Sequence, residues 1–160
     1  MSEILRWFWM LPILGTIVNA IVTRIRAGKY IRENPGLRVG YRKMLKGLIG
    51  WGSFCWVVMG IGCTVGDVPN VLYYLHPNPD NAYIVSFYAS YAVTLVAFAW
   101  WIYRGNGVQM LLDHPGFFNA PIKNAFVIKL FTGVIVGAGM AFIVVVWFTN
   151  VTAAIPMVVK

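Results

Sequence analysis

The chain has 160 residues, 59% of them hydrophobic and only 11% charged, whereas soluble domains carry about a quarter charged residues. A soluble globule of this size leaves too much of its surface in water to hide so much apolar material, so a water-soluble enzyme or binding domain is excluded and one membrane domain is expected. The net charge of +8 does not indicate nucleic acid, because the cations gather between apolar runs instead of lining a groove.

Residues 4–23 form the first apolar run. Its twenty residues would span about 30 Å as a helix, the thickness of a hydrocarbon core. Arg6 is its only charge, and no small-x-small cleavage site precedes Arg24, so it reads as an uncleaved anchor and not as a signal peptide. Pro12 is expected to kink it locally. Asn19, its one strongly polar residue, is expected to hydrogen-bond to a neighbouring helix.

The stretch 24–47 carries Arg24, Arg26, Lys29, Arg32, Arg38, Arg42, Lys43 and Lys46 against a single acid, Glu33. That is eight of the 13 Lys and Arg residues of the chain. Basic residues beside spans are retained on the cytoplasmic side, so a basic cytoplasmic loop is expected here. Residues 27–34 extend the first helix as an interfacial turn until Pro35-Gly36 stops it. Beyond setting topology, these eight cations are candidates for binding anionic lipid headgroups or an acidic partner, each worth about 1 kcal/mol near the membrane.

The second run, 48–66, is rich in glycine, with Gly50, Gly52, Gly60 and Gly62. In lipid, small residues let helix backbones approach closely. Cys55 and Cys63 lie on this run about 12 Å apart by helical rise, too far for a disulfide, and read as packing residues. The outer loop 67–81 has Asp67 and Asp80 but no Lys or Arg. Within it, residues 71–75, with Tyr73 and Tyr74, suit a short interfacial segment, and Asp80 or Asn81 suits an N-cap.

The third run, 82–103, is free of charge. Ala82, Ser86, Ser90 and Thr94 recur every four residues as a packing strip, and Arg104-Gly105 closes the helix. In the next loop, 104–124, residues 108–112 are apolar enough to rest among headgroups, ending at Asp113-His114-Pro115-Gly116. The fourth run spans 125–148, with Lys129 able to snorkel from its first turn and Gly133, Gly137 and Ala141 as a second small-residue face. The residues expected to mediate helix packing are therefore Gly52, Gly60, Ser86, Ser90, Gly133, Gly137 and Ala141. Pro156 argues against helix in the tail after residue 148.

Four spans place both termini on one face. The loops 24–47 and 104–124 hold ten cations, the eight above with Arg104 and Lys123, against Arg6 and Lys160 on the other side. Both termini are therefore expected to be non-cytoplasmic. The aromatic residues agree, with Trp7, Trp9, Tyr73, Tyr74, Tyr83 and Trp147 at the outer interface and Trp51, Trp100, Trp101 and Tyr103 at the inner one, Trp56 being the exception nearer mid-depth. A weak echo links Ile31-Arg32-Glu33-Asn34-Pro35-Gly36-Leu37 to Leu111-Leu112-Asp113-His114-Pro115-Gly116-Phe117. A duplicated helical hairpin in parallel orientation would produce it, as would Pro-Gly acting simply as a helix stop.

Every carboxylate, Glu3, Glu33, Asp67, Asp80 and Asp113, lies outside the apolar runs, which argues against a self-sufficient ion-coupled transporter. His76 and His114 fall on opposite sides and cannot ligate one haem iron, and no Cys/His set could hold zinc. No phosphate-binding loop, nucleophile elbow or dinucleotide fingerprint occurs. No cofactor or metal is expected. The leading expectation is an all-α membrane protein of four transmembrane helices, a non-catalytic scaffold or accessory subunit of a larger membrane complex. Its partners would be anionic headgroups and a membrane protein or further copies of itself. The alternative is a small homo-oligomeric carrier or channel, and a third reading is a lipid-modifying enzyme using Asp113 and His114 at the inner interface.

Overall fold

The computed structural model describes residues 2–117 and 124–148. Among these the chain is helical with no strand: α1 (Ser2–Arg6), α2 (Met10–Glu33), α3 (Arg38–Thr64), α4 (Ala82–Tyr103), α5 (Gly107–Asp113) and α6 (Ala125–Phe148), with 3-10 turns at Pro35–Leu37 and Val71–Leu75. Helices α2, α3, α4 and α6 are long and apolar enough to cross a bilayer. The fold is that of an all-α, four-span membrane protein. Lys123, Lys160 and Pro156 lie outside the described residues.

Helices α4 and α6 occupy their apolar runs from end to end. Asn81 caps α4, its Oδ1 accepting the amides of Tyr83 and Ile84 at 3.0 and 3.2 Å, which satisfies two donors that the first turn leaves open. The first two spans depart from expectation, each for a local reason.

The run 4–23 is not one helix. Pro12 has no amide hydrogen to offer the Phe8 carbonyl, and that carbonyl instead accepts from Leu11 at 3.1 Å. Similar short-range bonds at Trp7, Phe8 and Met10 turn the chain through Trp7–Trp9, so α2 begins afresh at Met10. The expected kink is thus a break placed ahead of the proline. It carries Arg6 onto the far end of α3, where Nε donates to the Cys63 carbonyl at 2.8 Å and Nη2 to that of Thr64 at 3.5 Å. A guanidinium there satisfies terminal carbonyls at the negative end of the helix dipole.

The stretch 24–47, which connects the first two spans, is helical on both sides of a short turn. Helix α2 continues through Arg24, Arg26, Lys29 and Arg32 to Glu33, and α3 starts at Arg38. Only Asn34 and the turn Pro35–Leu37 separate them, the Asn34 amide bonding the Tyr30 carbonyl at 2.8 Å and its Oδ1 accepting from Gly36 at 3.1 Å. Arg, Lys and Glu are good helix formers. A change of solvent from lipid to water therefore does not end a helix whose backbone bonds are already made.

Helices α2 and α3 lie antiparallel, with Gly52 against the Thr16 side chain and Gly60 beneath the Trp9 ring. Helix α3 then packs on α4 and α4 on α6, whereas neither α2 with α4 or α6 nor α3 with α6 shares a comparable contact. Among the described residues the spans form a row and not a closed bundle. Two clusters hold the row. Near the Arg6 end, Cys55, Met59 and Cys63 of α3 meet Tyr74, Ile84, Phe87, Tyr88 and Val146. At the opposite end Met44, Ile102, Leu111 and Ile128 join α3, α4, α5 and α6.

Tyr74 shows how closely the first cluster is fitted. Its hydroxyl donates to the Met59 carbonyl at 3.0 Å, burial pushes its pKa well above the usual phenol value, and it lies directly where a Cβ on Gly62 would stand, with Tyr83 Cβ at 3.1 Å on the other side. Gly62→Ala is expected to lower stability by about 1–3 kcal/mol through overpacking, read as an earlier unfolding midpoint in mixed detergent micelles. An unchanged midpoint would mean that the Tyr74 contact is not formed.

Candidate functional site

The most distinctive chemistry is at the hairpin formed by α2 and α3. Arg24, Arg26, Lys29 and Arg32 occupy the last turns of α2, and Arg38, Arg42, Lys43 and Lys46 the first turns of α3. All eight are exposed, against one carboxylate, Glu33, also exposed. The face of α2 toward α3 is instead small and apolar, with Ala20, Thr23 and Ala27 buried. Close packing along that seam leaves the long cationic side chains pointing outward.

Length gives the hairpin its shape. The uncharged part of α3, residues 47–64, has eighteen residues, about 27 Å of helix. The nine residues ahead of it, 38–46, add about 13 Å. A headgroup layer is only about 5–8 Å deep on each side of the hydrocarbon. The hairpin is therefore long enough to pass through headgroups, with Arg24, Arg26, Arg42, Lys43 and Lys46 near the apolar boundary and Lys29, Arg32 and Arg38 about 7–12 Å further out.

Helix α5 is fastened to the side of this projection. His114, buried at its C-terminus, has Nδ1 at 2.7 Å from the Met110 carbonyl and its ring edge-on to Tyr41 at 4.9 Å between centroids. The rest of the ring lies against the bare backbone of Gly40, where a Cβ would meet it with Cδ2 at 2.9 Å. The Tyr41 hydroxyl donates to the Pro115 carbonyl. Gly116 then turns with φ of +86°, its backbone over the Tyr30 ring, a conformation that costs glycine little. Tyr41 lies outside the apolar part of α3, and burial, helped by Tyr30, pushes its phenol up to about 12. The unfolded phenol ionises near 10, so this contribution to stability is complete below that pH and is lost as pH rises through the folded value.

Nothing in the sequence pattern announced this lock, since Gly40 and His114 are 74 positions apart. It separates two residues that the sequence placed together. The Asp113 carboxylate accepts from Gln109 Nε2 at 2.7 Å on the exposed side, while His114 turns inward. The likeness between the two Pro-Gly stretches also does not carry into their backbones: Pro35-Gly36 forms a 3-10 turn with no positive φ, whereas Gly116 is left-handed. His76 belongs to the connection between α3 and α4, at the other end of the helices from His114. Cys55 and Cys63 are both buried free thiols, and among the described residues no three His, Cys, Asp or Glu side chains converge as metal ligands.

The predicted packing residues divide. Gly52 and Gly60 lie in the α2–α3 seam, and Ser90 is buried with its hydroxyl donating to the Phe87 carbonyl at 2.7 Å. Ser86, Gly133, Gly137 and Ala141 are exposed, with the Tyr103 hydroxyl near Gly133 and nothing near Gly137. Asn19 is likewise exposed on α2 and makes no bond to a neighbouring helix among the described residues. The sequence identified the small faces but not their direction. No family model matches the chain, and neither a curated protein nor a solved structure is similar to it.

Proposed function

We propose that this chain is a non-catalytic membrane scaffold or accessory subunit, with its basic hairpin on the cytoplasmic side and both termini on the other. The observation that carries the reading is the hairpin itself: eight exposed cations on two packed helices with one acid among them. Cations of this density beside a span are retained on the cytoplasmic side. The five nearest the apolar boundary suit phosphate-bearing headgroups, at about 1 kcal/mol each before screening. The three beyond them suit an acidic surface of a partner.

Two further features support a scaffold. The carboxylates Glu33, Asp67, Asp80 and Asp113 lie at helix ends or in connections, so the spans carry no acidic ligand for a coupling ion. The open row of spans exposes small residues on α6 that no other described residue covers.

Gentle detergent extraction followed by native gels and identification of the companions by mass tests the reading. Migration within a larger complex that retains anionic phospholipid is expected, with the lipid lost when Arg24, Arg26, Arg42, Lys43 and Lys46 become glutamine. Migration without other proteins, with lipid content indifferent to those changes, would overturn it.

A further inference from the structure

We infer that two copies of this chain associate through the outer face of α2, with Asn19 of each copy hydrogen-bonded to Asn19 of the other. The inference rests on reading α2 as a membrane span and needs no second protein. Asn19 is nine residues from the start of α2 at Met10 and five before Arg24, about 13 Å and about 7 Å along the helix, within its apolar part. Its carboxamide is exposed and has no hydrogen-bond partner among the described residues. Lipid tails offer neither donor nor acceptor, so an amide facing them is left unsatisfied.

Several observations point to a second copy as the occupant. α2 is an end of the row, with its main packing among the spans on α3, so its outer face is open among the described residues. Two copies inserted in the same direction and related by a two-fold axis along the membrane normal bring each α2 residue opposite itself at the same depth. A carboxamide both donates and accepts, so Asn19 is its own complement in that arrangement. The helix also provides room. Gly15 lies one turn away on the same stripe, between Leu11 and Asn19, and a Cβ built there meets nothing within 4 Å. A glycine four residues from a polar residue permits the close, right-handed crossing typical of such pairs.

The cations at the inner end of α2 do not forbid this contact. At a crossing of about −40° near Asn19, two helices have diverged by about 7 Å more at the level of Arg26. The repulsion there is also shared with anionic headgroups.

The test uses the full chain reconstituted alone in liposomes, with single added cysteines and the buried Cys55 and Cys63 left in place. Oxidation is expected to cross-link Leu11→Cys and Val22→Cys, which lie on the stripe, but not Ile17→Cys or Ile21→Cys, exposed on other sides of α2. Asn19→Leu is expected to weaken self-association about five- to thirtyfold, read by dilution of donor- and acceptor-labelled protein in lipid. Gly15→Leu is expected to abolish cross-linking while leaving the unfolding midpoint unchanged, because that site is open within one copy. Equal cross-linking at all four positions, or association indifferent to both Asn19→Leu and Gly15→Leu, would overturn the inference. Loss of the protein from the bilayer on alkaline washing would instead overturn the span on which it rests.

Discussion

Replacing Arg24, Arg26, Lys29, Arg32, Arg38, Arg42, Lys43 and Lys46 together by glutamine is expected to change a protein of one orientation into a mixture of two. The wild-type chain should show Asn106→Cys shielded from a membrane-impermeant thiol reagent added outside, and Ser2→Cys labelled. Carrying one positive charge across a membrane against its potential costs about 2.3 kcal/mol per 100 mV, so eight retained cations amount to on the order of 18 kcal/mol at that potential. Without them, only Arg104 and Lys129 at the same end as the hairpin stand against Arg6 at the other among the described residues, a difference of one charge. Outside labelling at Asn106→Cys should rise from background toward half of the total. Cys55 and Cys63 are buried and contribute little signal. If the wild-type Asn106→Cys were reached from outside and Ser2→Cys were not, the assigned orientation would be reversed.

Gly40→Ala is expected to release α5 from the hairpin. The added methyl would occupy the position of the His114 ring, and that ring cannot slide aside. Its Nδ1 is held by the Met110 carbonyl, its ring packs edge-to-face with Tyr41, and the next residue is held by the Tyr41 hydroxyl. Overpacking of this kind costs about 1–3 kcal/mol. Faster amide exchange confined to α5 and the following turn should accompany the loss. The partner experiment is His114→Ala, which removes the obstructing ring. In that background Gly40→Ala should cost much less, a coupling expected only of residues in contact. Two costs that simply add would show that the ring does not rest on Gly40.

Both experiments turn on features that the sequence revealed unequally. Four apolar runs, the Asn81 cap, the stop at Pro35-Gly36 and the ends of α4 and α6 were legible, because each is a local property of hydropathy or turn chemistry. The continuation of α2 to Glu33 was legible as well. The start of α3 at Arg38 was not, since the cations of 38–46 mark where lipid ends and carry no sign that the helix begins before it. The lock of His114 on Gly40 was invisible for another reason: a bare glycine backbone carries no sign of the ring that will cover it.

The amino-acid sequence by itself determined how many times the chain can cross a bilayer and at which end its cations gather, since both are sums over neighbouring residues. Only the tertiary structure decided that the spans stand in a row, that Arg6 closes α3, and that Asn19, Gly137 and Ala141 face outward. In water a helix declares its buried side by being apolar there and polar elsewhere. In lipid every side is apolar, that contrast disappears, and the choice of face passes to packing between helices distant in sequence.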